Sequence, residues 1–141
     1  MLQRVQTVWT FLAAIIAALT FKFTFYSGNI VVGSNGHLYQ SVSAGRGFLL
    51  PVIAGLLIAG CLIAIFNYKN RKRQLWITIA LLVVSLLNIV EYWHESGTPP
   101  FIEGHYDITA FLPLAIPVFL ILAARGIMKD QKLVKSADRL R

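Results

Sequence analysis

Four apolar runs divide the chain, at about Val8 to Phe25, Gly47 to Phe66, Leu75 to Val90 and Ile108 to Met128, and polar residues concentrate between and beyond them. Each approaches the ~20 residues an α-helix needs to cross ~30 Å of hydrocarbon. The third does so once Tyr92 and Trp93 extend it. Lipid offers the backbone no hydrogen-bond partner, so runs of this length predict helices rather than the alternating ~10-residue strands of an outer-membrane barrel. The pattern predicts an all-α, four-transmembrane-helix bundle forming a single domain over 1–141. Its helices fall at about 8–25, 47–66, 75–93 and 108–128, followed by a basic tail at 129–141.

Two departures from plain hydrophobicity add local structure. Between the first and second runs, Asn29 to Val42 holds two β-prone stretches around Asn35-Gly36. This pair suits a type I′ turn, whose central positions need positive φ, and predicts a small β-hairpin pairing Ile30 to Val32 with Leu38 to Gln40. In the tail, Ile127, Val134, Ala137 and Leu140 fall near one helical stripe, so the fourth helix is expected to run on past the bilayer or bend along it.

Charge orients the bundle. Of the thirteen Lys and Arg residues, eleven lie before the first run, between the second and third, or from Arg125 onward, leaving only Lys22 and Arg46 on the other side. The positive-inside rule then places both termini and the Asn67 to Gln74 loop in the cytoplasm, and the Tyr26 to Arg46 and Glu91 to Asp107 loops outside. Trp9, Tyr68 and Trp76 mark the inner interface and Tyr26, Tyr92, Trp93 and Tyr106 the outer one. The first run is expected to stay in place, because Phe21, Phe23, Phe25 and Tyr26 stand where a cleaved signal needs small residues.

Composition agrees: 57% of residues are hydrophobic, 13% charged, and the mean hydropathy is +0.67, far from a soluble norm of about 45–50% and about 25%. The net charge of +7 sits in short clusters beside apolar runs. Anionic lipid headgroups are therefore the expected counter-charge, and nucleic acid is not. Lys69, Arg71, Lys72, Arg73, Lys129, Lys132, Lys135, Arg139 and Arg141 form the expected contact surface for lipid or for a partner, either another protein or a second copy of the chain. The single cysteine, Cys61, excludes an intrachain disulfide, CxxC chemistry and a cysteine zinc cluster.

Candidate chemistry is sparse, and no cofactor and no catalytic residue is expected. Thr78, Ser85, Asn88 and Tyr92 share one face of the third helix, with Glu91 beside it. Such a stripe faces protein, either as interhelical hydrogen bonds worth ~0.6 kcal/mol each or as the wall of a polar pathway. Glu91, His94 and His105, with Glu95, Glu103 and Asp107 nearby, offer metal-ligand types in the second outer loop. Only one Glu-x-x-His occurs, however, so a solvated acidic loop is the expected reading. Pro113 and Pro117 should kink or widen the fourth helix. Gly55 with Ala59, Gly60 with Ala64, Ala13 with Ala17 and Ala14 with Ala18 supply small-xxx-small spacing for helix contacts. No Asp, Glu, Lys or Arg lies at the centre of a run, unlike the membrane-embedded glutamate of the small multidrug exporters.

Three segments carry a likeness to a known family: Met1-Leu2-Gln3-Arg4-Val5-Gln6-Thr7-Val8, Tyr68-Lys69-Asn70-Arg71-Lys72-Arg73-Gln74, and Leu133-Val134-Lys135-Ser136-Ala137-Asp138-Arg139-Leu140-Arg141. They resemble the domain-of-unknown-function family numbered 4293, small four-helix proteins of the bacterial inner membrane. Lys129-Asp130-Gln131-Lys132 is close to the family's pattern too, with Gln131 where an acid is expected. The resemblance spans the whole chain and implies the same topology, but it brings no activity or catalytic residue. The expected function is a non-enzymatic accessory or interaction subunit. A small transporter or ligand-binding protein is the alternative, and an outer-face metal enzyme the third.

Overall fold

A computed structural model describes residues 2–32, 36–98 and 101–138. It contains four helices, α1 (Leu2–Leu19), α2 (Leu49–Phe66), α3 (Arg71–Ser96) and α4 (Phe111–Asp138), and three strands, β1 (Tyr26–Val32), β2 (Gly36–Val42) and β3 (Phe101–Tyr106). A single 3₁₀ turn, Ile108–Ala110, precedes α4. The helices follow chain order around the bundle, α1 packing on α2 and α4, and α3 on the same two.

The expected all-α architecture is corrected by the sheet. Its strands lie in the order β2-β1-β3, both pairs antiparallel. The β1–β2 hairpin forms as expected, but its register is shifted: Ile30 lies opposite Leu38 and Val32 opposite Gly36, so of the two stretches expected to pair only Ile30 and Leu38 meet. Gly36 is therefore a strand residue rather than a central turn residue. Residues 33–35, and with them the Asn35 half of the expected turn, lie outside the described residues. Strand β3 comes from the loop read as solvated, and it docks where glycines let two backbones meet. A Cβ on Gly28 would lie 2.5 Å from the Glu103 carbonyl oxygen and 2.6 Å from Gly104 Cα, and the Tyr26 ring lies against Gly104.

Helix ends differ from the hydropathy boundaries for local reasons. Helix α1 begins at Leu2 and stops at Leu19, because residues beyond it turn back to let Phe25 N–H donate to the Val42 carbonyl at 2.7 Å. Gly47, at φ +67°, takes the left-handed turn that leads into α2. Asn70 caps α3 by accepting the Arg73 N–H at 3.3 Å, so Arg71, Lys72 and Arg73 form a first helical turn rather than a loop. Helix α4 runs straight through the expected tail to Asp138. Pro113 falls in its first turn, where a missing N–H costs no helical bond, while Pro117 lies inside it.

Among the described residues, three helical segments are long and apolar enough to cross a membrane: Leu49–Phe66, Arg71–Ser96 and Ile108–Val134. The apolar stretch of α1, Val5–Leu19, is shorter, so by length and composition three of the four expected spans qualify. One core, centred on Ala13, Ala17, Leu57, Cys61, Ala64, Leu81, Ile116 and Leu120, fills the middle of the bundle. A second seats the sheet on the helix ends through Phe25, Val42, Leu50, Ala54 and Tyr92. Gly60 sits tightly against the Leu81 side chain, and Ala64 is fully buried, as small-residue packing requires. Gly55 instead meets open space and Ala59 is exposed, so that pair faces no neighbour within the chain.

The glycine contact between β1 and β3 yields the first test. Gly28→Val should unseat β3 at a cost of about 1–3 kcal/mol, because backbone atoms cannot yield as a side chain would. Amide exchange should then quicken in Phe101–Tyr106 and stay unchanged in the helices; unchanged protection of that strand would contradict the contact.

Candidate functional site

Helix α3 turns the predicted polar stripe inward. Thr78, Ser85, Asn88 and Tyr92 are all buried, as is Gln74 one turn earlier, while Glu91 is half-buried beside them. Two of these side chains bond their own helix: Thr78 Oγ1 donates to the Gln74 carbonyl at 2.9 Å and Ser85 Oγ to the Leu82 carbonyl at 2.7 Å. Asn88 differs. Neither its amide nitrogen nor its oxygen has a hydrogen-bond partner among the described residues, although both atoms are buried. The Tyr92 hydroxyl faces Thr20, but Thr20 donates to the Ala17 carbonyl at 2.7 Å, and Tyr92 forms no well-shaped bond of its own.

At the sheet end of α3, Glu91, His94 and Glu95 bring their ligand atoms within 4.8 Å of one another. Glu95 is already engaged by Arg46, whose Nε lies 3.2 Å from its carboxylate. The same guanidinium donates to the Thr98 carbonyl at 2.9 Å and lies 5.8 Å from the centre of the Phe101 ring. His105 does not join this group. It lies on β3, 3.4 Å from Ser27 Oγ and 3.8 Å from Asp107. Ser27, His105 and Asp107 have the composition of a nucleophilic triad without its geometry. Both contacts fall on the same ring nitrogen, and Ser27 donates directly to Asp107 at 3.1 Å, so no proton relay is set up.

The opposite end holds a polar cluster that the sequence reading missed. Asp130 of α4 is only 5% exposed, and its carboxylate accepts a short hydrogen bond from the Gln6 amide of α1. The same Gln6 nitrogen donates to the Gly126 carbonyl at 3.1 Å, and Thr10 donates to the Gln6 carbonyl at 3.0 Å. Gly126 makes this possible: a Cβ there would come within 2.8 Å of Gln6 Cγ. Arg71, from the turn opening α3, donates to the Asp130 main-chain carbonyl at 3.3 Å. The Gln131 side-chain nitrogen, next in sequence, is buried without a partner among the described residues.

The cluster has one sequence signal. Gln6, Arg71 and Asp130 each belong to a segment that carries the family likeness, so three distant motifs converge on one point. The family model described as domain of unknown function DUF4293 matches residues 2–140. The chain belongs to this family. No curated protein and no solved structure matches it.

Of the basic residues expected to contact lipid or a partner, Lys69, Lys72, Arg73, Lys129 and Lys132 are exposed in this DUF4293 chain, and Arg71 is half-buried against α4. The side chains of Lys135, Arg139 and Arg141 lie outside the described residues. Gln6→Leu should strand the Asp130 carboxylate in a buried place and lower stability by about 2 kcal/mol. Asp130→Asn, which can still accept from Gln6, should lose less. Thermal unfolding in one detergent ranks the two, and equal melting temperatures for Gln6→Leu and wild type would refute the role.

Proposed function

We propose that the chain is a four-span protein of the bacterial inner membrane, a non-enzymatic accessory or interaction subunit whose basic cytoplasmic end contacts anionic lipid headgroups or a partner protein. Its lateral surface supports the membrane part. Only 28% of the apolar window is buried in α2 and in α3, and an apolar surface of that extent is not sustained in water. Helix α1 fits as the fourth span. Its 18 residues reach about 27 Å at 1.5 Å each, close to the hydrocarbon thickness. Val5, Val8, Phe11 and Ile15 are exposed along one side.

The observation that carries the interaction part is the start of α3. Arg71, Lys72 and Arg73 crowd the first turn, and no acid accompanies them. The helix dipole opposes cations at an N-terminus by about 0.3–1 kcal/mol each, so these residues cost local stability unless an anion compensates. Anionic headgroups attract each nearby Lys or Arg by ~1 kcal/mol and supply that compensation. Lys129 and Lys132, on the helix that Arg71 holds, extend the same basic end. Hydrogen exchange over residues 129–141 in nanodiscs should be slower with anionic than with neutral lipid, and trypsin should reach this segment only in inside-out vesicles. Equal exchange would leave a protein as the partner, and cleavage in right-side-out vesicles would reverse the orientation.

Asn88 favours a second reading, a small transporter or ligand-binding protein using the α3 stripe. A buried amide with no partner costs about 1–3 kcal/mol. Asn88→Leu should therefore raise the melting temperature if the amide serves packing alone. A fall in melting temperature would mean that the amide holds a bound polar group, and would favour the second reading.

A further inference from the structure

A cavity at the sheet end of the bundle belongs to none of the sites above. It measures about 340 Å³ and is lined by Phe25, Ile89, Trp93, Tyr106, Ala110 and Leu114. Ile89 and Trp93 come from α3, Leu114 from α4 and Ala110 from the turn before it. Phe25 and Tyr106 close the sheet side, their rings meeting edge to face at 5.5 Å. Phe25 also leans on Tyr92 at 5.0 Å.

These walls are held in place before anything enters. Asp107 N–H donates to the Phe25 carbonyl at 3.2 Å, Thr24 Oγ1 donates to the Asp107 carboxylate at 2.6 Å, and Thr109 bonds back to the Thr24 carbonyl. The segment carrying Phe25 is thus tied to the one carrying Tyr106 and Ala110. Preorganisation of this kind lowers the cost of binding.

We propose that this cavity binds one hydrocarbon chain of a membrane phospholipid. The inference rests on the membrane reading above and adds a specific site to it. Three observations choose the occupant. The lining side chains are aliphatic or aromatic and offer almost nothing to hold a polar ligand. The mouth opens sideways, since Trp93 is 73% and Leu114 51% exposed, on the surface shared with exposed Val90, Phe111 and Val118. The volume lies at the low end of the ~300–1,000 Å³ range of small-molecule sites, suited to one chain. Depth agrees, because Trp93 and Tyr106 are the ring types that settle at headgroup level, so a chain entering beside them begins just below the interface. A second copy of the bundle fits worse, since close helix approach needs small residues and the mouth is flanked by Trp93 and Phe111.

The full chain is reconstituted in dioleoyl phosphatidylcholine vesicles, returned to mild detergent and weighed by native mass spectrometry. Wild type should keep one phospholipid per chain after loosely held lipid has been stripped. Ala110→Phe, which fills the cavity, should lower that retention about tenfold. Val118→Phe, on the same lipid-facing surface but outside the cavity, should retain the lipid as wild type does. Helical circular dichroism verifies folding, and Leu114→Trp replaces Ala110→Phe if the latter does not fold. A folded wild type without retained lipid, equal retention by wild type and the filled variant, or a second chain bound in place of lipid would each overturn the site. Release of the chain from native membranes by alkaline carbonate would instead overturn the membrane reading, and the site with it.

Discussion

Where apolar helices pack in lipid, apolar side chains gain little by leaving the solvent, so such helices hold together by close backbone approach and by the few polar bonds they can make. The contact of α1 with α4 concentrates both. Gly126 lets Gln6 lie against the α4 backbone, and from there one amide reaches both the Gly126 carbonyl and the Asp130 carboxylate. Arg71 then ties the start of α3 to the same stretch of α4. Three helices are thus joined at one end of the bundle by groups that would each be costly to bury alone.

The other end is built on a different principle. Here the joining element is a sheet, which satisfies the backbone of its own strands and rests on the helices through Phe25, Val42 and Tyr92. Arg46 closes its edge by binding Glu95 and the Thr98 carbonyl. Asp107 does the same on the far side, with one carboxylate oxygen on Thr24 and the other on Ser27. Of the groups that looked like metal ligands or a nucleophilic triad, these contacts engage Glu95, Asp107 and Ser27. The apolar cavity beside Trp93 stays open at the same end.

The sequence made the repeating parts of this fold legible and left the long-range parts hidden. Helices announce themselves by run length, and the β1–β2 hairpin by alternation around a turn, so the hairpin was readable from a dozen residues although its register was not. Strand β3 was not. Its partner lies more than seventy residues away, and the glycines that admit it, Gly28 and Gly104, carry no pattern of their own. Gln6 and Asp130 are more distant still. Each reads alone as a polar residue near a helix end, and only the fold makes them partners. The inward face of α3 was legible because Thr78, Ser85, Asn88 and Tyr92 keep helical spacing, whereas the missing partner of Asn88 depends on what the other helices fail to bring.

Local stability is not spread evenly over the four helices. Helix α2 is apolar throughout and packs by shape alone, with Leu57, Cys61 and Ala64 fully buried and no acidic residue in its first turn or basic residue in its last. Helices α1 and α4 compensate each other's buried polar groups through Gln6 and Asp130. Helix α3 is where ordinary preferences are broken: cations stand at its N-terminus against the dipole, and Asn88 keeps an unbonded amide in its interior. Departures from local rules concentrate where a chain does something other than fold. Both functional readings therefore fall on one element. They differ in the direction from which a partner would approach, at the exposed basic end of α3 or along its buried face.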